Sequence, residues 1–273
     1  MSTTDSPLLT TKSENTKTTT TAFVATKGEN KKWKVIYFDF PARGEQLRLM
    51  FIYSKVDFID ERYKGGKLLA GIKKNVMGDA SPLPYDQVPV LVSPDGKAYG
   101  QTAACMQLLG HILPNLSPGD KKVDATCLGL ALAAEDLRNT VYYPLFYPEV
   151  YKFIIKKKAP CCCCIPGCIG WYKKTSKHKK GFARWAKHFE DFLRLQKTKY
   201  LAGNQLYYCD IAVFDSIEAC LDLPCFNREK ELKPFPILEQ WYVEMGNIPH
   251  LKSYLEERGG RMEYVLKYLS KKK

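Results

Sequence analysis

The residues that could do chemistry lie in two short stretches of this 273-residue chain, about fifty residues apart. In the first stretch, Tyr37 follows a short apolar run, and Pro41 fits the first turn of a helix. A hydroxyl donor beside the positive end of a helix favours a bound anion. In the second stretch, Thr102 offers a hydroxyl at the start of another predicted helix, where anions also bind.

The elements that must position these residues alternate between strand and helix. Apolar runs and helical spacing predict strand 35–38, helix 42–53, strand 56–63, a weak helix around 68–76, strands 88–92 and 97–100, and helix 102–113. This order is typical of a thioredoxin-like domain.

The rest of the chain has helical periodicity, over 120–153, 182–199, 210–223 and 236–268. We therefore predict a disordered Ser/Thr/Lys-rich tail at 1–32, a thioredoxin-like domain at 33–113, and an all-helical domain at 114–273. Within the last, prolines, glycines and like charges predict an exposed inserted loop at 156–180.

In this order and spacing, the two stretches resemble the thiol-binding half of the cytosolic glutathione transferases, of the sigma class or a close relative. The resemblance covers roughly residues 33–151 and 181–262. It implies an α/β thioredoxin-like domain followed by an all-α domain, and a homodimer. The implied activity is transfer of glutathione to a hydrophobic electrophile, as in detoxification, with glutathione as co-substrate and no further cofactor or metal.

The resemblance assigns catalysis to Tyr37, which would donate its hydroxyl hydrogen to the glutathione sulfur. A free thiol has a pKa near ~8.5, so such a donor increases the thiolate fraction at neutral pH. Arg43 would be an electrostatic partner near the thiolate, while Glu45 and Arg48 would be structural. The competing interpretation of Tyr37 is ordinary strand packing.

The same resemblance implies the glutathione-binding residues. Gln87 and Val88 precede Pro89, which stands where the family has a cis-proline, and Val88 would offer its backbone to the cysteinyl part. Gln101 and Thr102 would bind the γ-glutamyl carboxylate, although Thr102 could simply cap its helix.

The resemblance implies roles for three further positions. Asp136, with Glu135 as the alternative, would reach the γ-glutamyl amine across a dimer interface. Lys74 or Lys73 would bind the glycyl carboxylate, within a region from 64 to 86 that departs from the family pattern. Asp210 matches the acidic position of the family's helix-start signature, in which a Ser or Thr hydroxyl caps the helix three residues earlier. Here Tyr207 replaces that Ser or Thr.

The formal net charge of +13 is concentrated in one segment. Nine lysines and no acidic residue lie between Lys152 and Lys180. This cluster lacks arginine and adjoins a cysteine tract, so we expect no nucleic-acid partner. The ten cysteines do not form a secreted disulfide pattern, and no signal peptide or membrane span is evident, which favours the cytoplasm.

Five cysteines are crowded into Cys161, Cys162, Cys163, Cys164 and Cys168. Beside lysine runs, they suit S-acylation such as palmitoylation, which would make the chain a peripheral lipoprotein on an anionic membrane. A metal or redox-sensitive thiol cluster and an insertion without a role are the alternatives.

The leading interpretation is a glutathione transferase, with Tyr142, Tyr143, Phe146 and Tyr147 as candidate linings of the electrophile pocket. A glutathione-dependent isomerase would use the same thiolate. A non-catalytic binding or structural protein, tethered to membranes by its Cys/Lys loop, is the alternative from another class.

Overall fold

The computed structural model describes residues 32–63, 85, 87–146 and 165–270, with the side chains of 165–175, 265–266 and 268–270 left aside. The weak helix predicted around 68–76, the N-terminal tail and the Cys161–Cys164 tract lie outside these residues. S-acylation of that tract therefore stays a prediction.

A four-stranded mixed sheet forms the first part of the described chain. The strands are β1 (Trp33–Phe38), β2 (Phe58–Tyr63), β3 (Val90–Val92) and β4 (Ala98–Tyr99). Their order is β2-β1-β3-β4, with β1 parallel to β2 and antiparallel to β3. Because β1 is central, Val35, Ile36 and Tyr37 are buried. This is the thioredoxin-like arrangement that the sequence predicts.

Two helices complete this part, α1 (Arg43–Ser54) and α2 (Thr102–Ile112). Their bounds agree with the predicted helices to within one residue. Pro41, however, is not in the first turn of α1, because Ala42 is the N-cap and the helix begins at Arg43. Thr102 is likewise the first residue of α2 rather than its cap, a position that Gln101 occupies.

The remainder is helical. Its helices are α3 (Lys121–Leu137), α4 (Ile165–Gln196), α5 (Tyr208–Leu221), α6 (Arg228–Leu232), α7 (Pro236–Gly246), α8 (Pro249–Arg258) and α9 (Arg261–Ser270). A π-helical turn, Arg138–Tyr142, follows α3 and passes into a helical segment at 143–146. The periodicity predicted over 236–268 thus belongs to three helices, separated near Pro249 and at Gly259–Gly260.

Helix α5 is the centre of the core. It is buried along almost its whole length and packs against α1, α3 and the π-helical turn. A helix that is apolar all round is stable only inside a protein, so its sequence requires cover on every side. The same helix contains Asp215 and Ser216, which are fully buried and need polar partners.

The prediction of an exposed loop at 156–180 is wrong for its second half. Residues 165–180 are helical and continuous with the helix through 196. Pro166 falls in the first turn of α4, where a proline costs no hydrogen bond, and the described part of the segment from 176 to 180 is largely solvent-accessible. Like charges are tolerated on such a face because water screens them.

Within the described residues, no helix is both long enough and apolar enough to cross a membrane.

Candidate active site

A cleft of about 620 Å³ opens between the sheet and the helical part of the chain. Its walls come from the end of β1, the start of α1, the approach to β3, the start of α2 and the last turns of α3. The lining residues are Phe38, Arg43, Gln87, Val88, Pro89, Gln101, Thr102, Ala103, Leu132, Glu135, Asp136 and Asn139. Seven of the nine residues expected to bind glutathione are in this set.

Tyr37 is next to the cleft rather than among its lining residues. Its side chain is 5 % exposed, and its hydroxyl oxygen accepts a hydrogen bond from the backbone N–H of Arg43, at 3.3 Å. Burial raises the pKa of Tyr37 well above its usual value, and the nearby Tyr143 adds to this effect. The hydroxyl therefore keeps its hydrogen at neutral pH and is a donor, not a base.

Gly44 allows α1 to approach the Tyr37 ring. A Cβ atom at this position would lie 2.5 Å from Cγ of Tyr37, closer than real Cβ contacts come. Glycine weakens a helix by about 1 kcal/mol relative to alanine, so its presence in the first turn could have signalled a close approach.

Arg43 joins the two parts of the chain at the rim of the cleft. Its Nε lies 3.1 Å from Oε2 of Glu135, and an Nη donates to Oδ1 of Asn139 at 2.9 Å. The guanidinium also stacks over the Tyr143 ring, 4.7 Å from its centroid. Arg43 was predicted, whereas Asn139 was missed and its sequence context gives no signal.

The predicted polar residues of the second stretch come together on the opposite wall. The Val88–Pro89 peptide bond is cis. Gln101 has a positive φ of 66° and donates from Nε2 to Oε1 of Gln87 at 3.2 Å. Thr102 is buried at the N-terminus of α2, so the free N–H groups of that helix start face the same region.

The structure separates the roles of the two adjacent acids. Glu135 is engaged by Arg43, while Asp136 is exposed and lines the cleft of its own chain. The expectation from the resemblance was a contact across a dimer interface. Lys73 and Lys74 lie outside the described residues.

Glu45 and Arg48 lie behind the cleft in a buried ion-pair network, as the structural interpretation of these residues expects. Glu45 pairs with Arg48 at 3.2 Å and with Arg258 at 2.9 Å. Burial alone would raise the pKa of Glu45, but Arg48, Arg258 and Arg261 together lower it to about 2. The network consists of Glu45, Arg48, Arg138, Asp215, Glu218, Arg258 and Arg261.

The sequence interpretation missed the partners on the helical side of this network. Asp215 pairs with both Arg138 and Arg261, and Glu218 pairs with Arg258 and Arg261. The position of Asp215 within an apolar run could have indicated a buried charge. It could not have indicated which arginines pair with that charge.

The aromatic residues proposed for an electrophile pocket are mostly buried. Tyr142, Tyr143 and Phe146 are at most 9 % exposed and do not line the cleft, while Tyr147 lies outside the described residues. Tyr142 stacks on Phe146 with 5.0 Å between ring centroids, as core residues do. Leu132, 51 % exposed, and Phe38 are the bulkiest apolar side chains among the lining residues instead.

A second cavity, of about 400 Å³, lies among α5, α7 and α8 and contains none of the predicted site residues. Among the residues that the structure describes, no cluster of histidine, cysteine or acidic side chains is arranged to hold a metal ion.

A thioredoxin-like domain followed by a helical domain, with a polar cleft between them, is the glutathione-transferase fold. Solved structures agree. The glutathione S-transferase of Ascaris lumbricoides superposes with a TM-score of 0.62 at 19% identity, over 84% of this chain and 98% of that one. A prostaglandin synthase D of Nilaparvata lugens gives 0.60 at 22% identity, over 84% and 99%.

Sequence comparisons support the same family. Residues 171–258 match the family model of the glutathione S-transferase C-terminal domain. A glutathione S-transferase of Plasmodium falciparum is 25% identical over 239 residues, which is 81% of this chain and 94% of that protein. A probable glutathione S-transferase of Caenorhabditis elegans is 40% identical over 107 residues, 39% of this chain and 45% of that protein. Together these matches show that the chain is similar to glutathione S-transferases over about four fifths of its length.

Proposed function

We propose that this chain is a glutathione transferase that binds glutathione in the cleft and stabilises its thiolate with the Tyr37 hydroxyl. The observation that carries the proposal is the convergence of the two sequence stretches. Arg43 of the first stretch and several residues between 87 and 102 of the second stretch line one cleft. The Tyr37 hydroxyl oxygen lies 3.3 Å from the backbone nitrogen of Arg43.

Glutathione is a peptide with charged ends, and the cleft offers a complementary group for most of its parts. The N-terminal N–H groups of α2 suit the γ-glutamyl carboxylate, because a helix start attracts anions. The exposed carboxylate of Asp136 suits the γ-glutamyl amine. Val88, in front of β3, has backbone groups that can pair with the cysteinyl residue. Lys74 would bind the glycyl carboxylate.

The chemical step needs a thiolate. On binding, the thiol loses its proton to solvent, and the remaining anion accepts a hydrogen bond from the Tyr37 hydroxyl. That hydroxyl is suited to donate, since its oxygen already accepts the Arg43 N–H and burial keeps it protonated. The thiolate then attacks an electrophilic carbon, a C–S bond forms, and the leaving group departs with its electron pair.

The hydrophobic electrophile would bind beside Leu132 and Phe38, which are the bulkiest apolar side chains that line the cleft. The geometry of the cleft does not favour an isomerase over a transferase, because both reactions begin with the same thiolate. Analysis of the product of turnover distinguishes them. As in the related family, we expect a homodimer.

The test is glutathione binding by calorimetry, together with turnover of an activated aryl halide, for the intact chain and for Tyr37→Phe. We expect both proteins to bind glutathione and kcat to fall about 10²-fold in the variant, the usual cost of removing one donor to a developing or bound anion. Tyr63→Phe, at the last position of neighbouring strand β2, is the matched control and should keep its turnover. Failure of the intact chain to bind glutathione would contradict the proposal.

A further inference from the structure

A short turn of residues 38–42 connects Tyr37 to Arg43 and so sets how the two meet. Arg48 donates from its two Nη groups to the carbonyl oxygens of Phe38 and Phe40, at 3.3 and 3.5 Å. These contacts come from α1, the helix that the turn itself introduces. They hold the first and third residues of the turn from within the thioredoxin-like part.

One backbone bond to the turn comes from β2, where the Tyr63 carbonyl oxygen accepts from the Asp39 N–H at 3.0 Å. Two further side chains that bind the turn come from the far end of the chain. Arg261, the first residue of α9, donates from Nη1 to the carbonyl oxygen of Pro41 at 3.3 Å. Three residues later, the Tyr264 hydroxyl donates to Oδ1 of Asp39 at 2.9 Å and accepts from Arg62 at 3.3 Å. Four successive residues of the turn are therefore each held by a side chain.

The start of α9 is itself firmly fixed. Arg261 is 1 % exposed and pairs with Asp215 and Glu218 of α5. The backbone N–H of Met262 donates to Oδ2 of Asp222 at 2.7 Å. Because its base is anchored to the core helix, α9 can hold the turn in place rather than follow its movements.

The turn controls one distance in the site. The Arg43 N–H donates to the Tyr37 hydroxyl across the turn, so a displacement of residues 39–41 moves this donor relative to that oxygen. Misplacement of a catalytic group by about 1 Å can cost on the order of 10²-fold in rate. Small shifts of the turn should therefore be visible in catalysis.

We propose that Tyr264 and Arg261 are positioning residues that hold the turn after Tyr37 and thereby set the contact between the Tyr37 hydroxyl and the Arg43 N–H. Their effect on catalysis rests on the proposed thiolate chemistry, whereas their effect on the turn does not. The start of α9 thus serves the thiol-binding site through the turn.

The test uses two variants in the full chain, each of which removes a tyrosine hydroxyl that makes two hydrogen bonds. Tyr264→Phe removes the 2.9 Å bond to Oδ1 of Asp39 and the 3.3 Å bond from Arg62. Tyr208→Phe removes bonds of 2.9 and 3.2 Å to Oδ1 and the carbonyl oxygen of Asp124, on α3. Hydrogen exchange of residues 38–43 is measured by mass spectrometry without ligand. The pH dependence of kcat/KM is measured with glutathione and an aryl halide.

We expect faster exchange of residues 38–43 in Tyr264→Phe than in Tyr208→Phe. We also expect the pH profile to move to higher pH by about half a unit, which lowers the thiolate fraction about threefold at neutral pH, with KM for glutathione little changed. In a double-variant cycle, Asp39→Asn should add less to Tyr264→Phe than it does to the intact chain, because the two residues share one contact. The part that remains additive belongs to the pairing of Asp39 with Arg62 at 3.8 Å.

Equal exchange in the two tyrosine variants would overturn the positioning role. Faster exchange with an unmoved pH profile would overturn its catalytic consequence. If the intact chain neither binds nor turns over glutathione, the proposed function fails, but the exchange comparison still decides whether α9 holds the turn.

Discussion

Arg43 and Arg48 lie five positions apart on the same helix and make opposite kinds of contact. Arg43 is at the rim of the cleft, partly exposed, and pairs with Glu135 and Asn139 across an opening that a ligand can enter. Arg48 is fully buried and pairs with Glu45 and Asp60. Helix α1 therefore has two distinct faces. A solvent-accessible face towards the cleft can take part in chemistry, and a buried face towards the ion-pair network supports the fold.

The two faces differ in what a substitution should cost. A charge at the rim can be rehydrated when its partner is removed, so the free energy of unfolding changes little. A charge in the buried ion-pair network cannot, and the loss of one partner leaves the other without compensation. The cleft should therefore tolerate substitutions that affect activity, whereas the network should not tolerate substitutions at all.

The largest expected effect is in the network. Asp215→Ala leaves Arg138 and Arg261 buried without their shared carboxylate, and we expect it to lower the free energy of unfolding by about 3–5 kcal/mol. Urea denaturation measures this loss. The matched control is Asp191→Ala, which removes an acid that also pairs with two cations but at the surface of α4. Equal urea midpoints for the two variants would remove the distinction between the faces.

A second, smaller effect is on the pH dependence of the free energy of unfolding, which should differ between buried carboxyls with and without arginine partners. Burial raises the pKa of Asp210 to about 6, even though the N–H groups of Leu201 and Tyr207 favour its ionised form. The folded chain therefore binds this proton more tightly than the unfolded chain, and the free energy of unfolding falls as pH rises from about 4 to about 6. The pKa of Glu45 is instead lowered to about 2, so its contribution is complete above about pH 4.5.

Asp210→Asn should abolish the part of the decrease in the free energy of unfolding with rising pH that is due to Asp210. We expect that part to be about 2–3 kcal/mol. The measurement is the difference in the free energy of unfolding between the intact chain and the variant, by urea denaturation at several pH values from 4 to 7. A difference that stays constant over this range would contradict the assigned shift.

The smallest expected effect concerns the cleft and its close approach at Gly44. Gly44→Ala forces the Tyr37 ring away from α1, so we expect kcat to fall about tenfold, with a loss of roughly 1–3 kcal/mol in the free energy of unfolding from overpacking. Gly129→Ala on α3, where an added Cβ meets nothing within 4 Å, is the matched control and should stabilise the helix slightly. Similar kinetics in both variants would show that the approach does not constrain Tyr37.

The sequence predicts the cleft face of α1 and its surroundings better than it predicts the ion-pair network on the other face. Strand β1, helix α1 and the residues from Gln87 to Thr102 follow from local patterns and a family resemblance, and the structure brings the described ones to one cleft. The network depends on contacts between residues far apart in the chain, such as Arg258 and Glu45, which are 213 positions apart. No local pattern encodes such a pair.

Helix α4 marks another limit of sequence reasoning. The segment 165–180 carries a proline, glycines and lysines that predict a loop when each residue is judged by its own preference. The proline falls in the first turn, and the segment continues a long helix whose later part packs through Phe182 and Phe189. The packing of the later part of α4 stabilises the whole helix, so α4 is longer than the local preferences of its first residues predict.

The most direct test of the account is the pKa of the glutathione thiol when it is bound to the protein. It is followed by thiolate ultraviolet absorbance during a pH titration of the intact chain and of Tyr37→Phe, each saturated with glutathione. We predict that the pKa of the bound thiol lies clearly below ~8.5 in the intact chain and returns towards that ordinary value in the variant. The same pKa in both proteins would contradict the role of Tyr37.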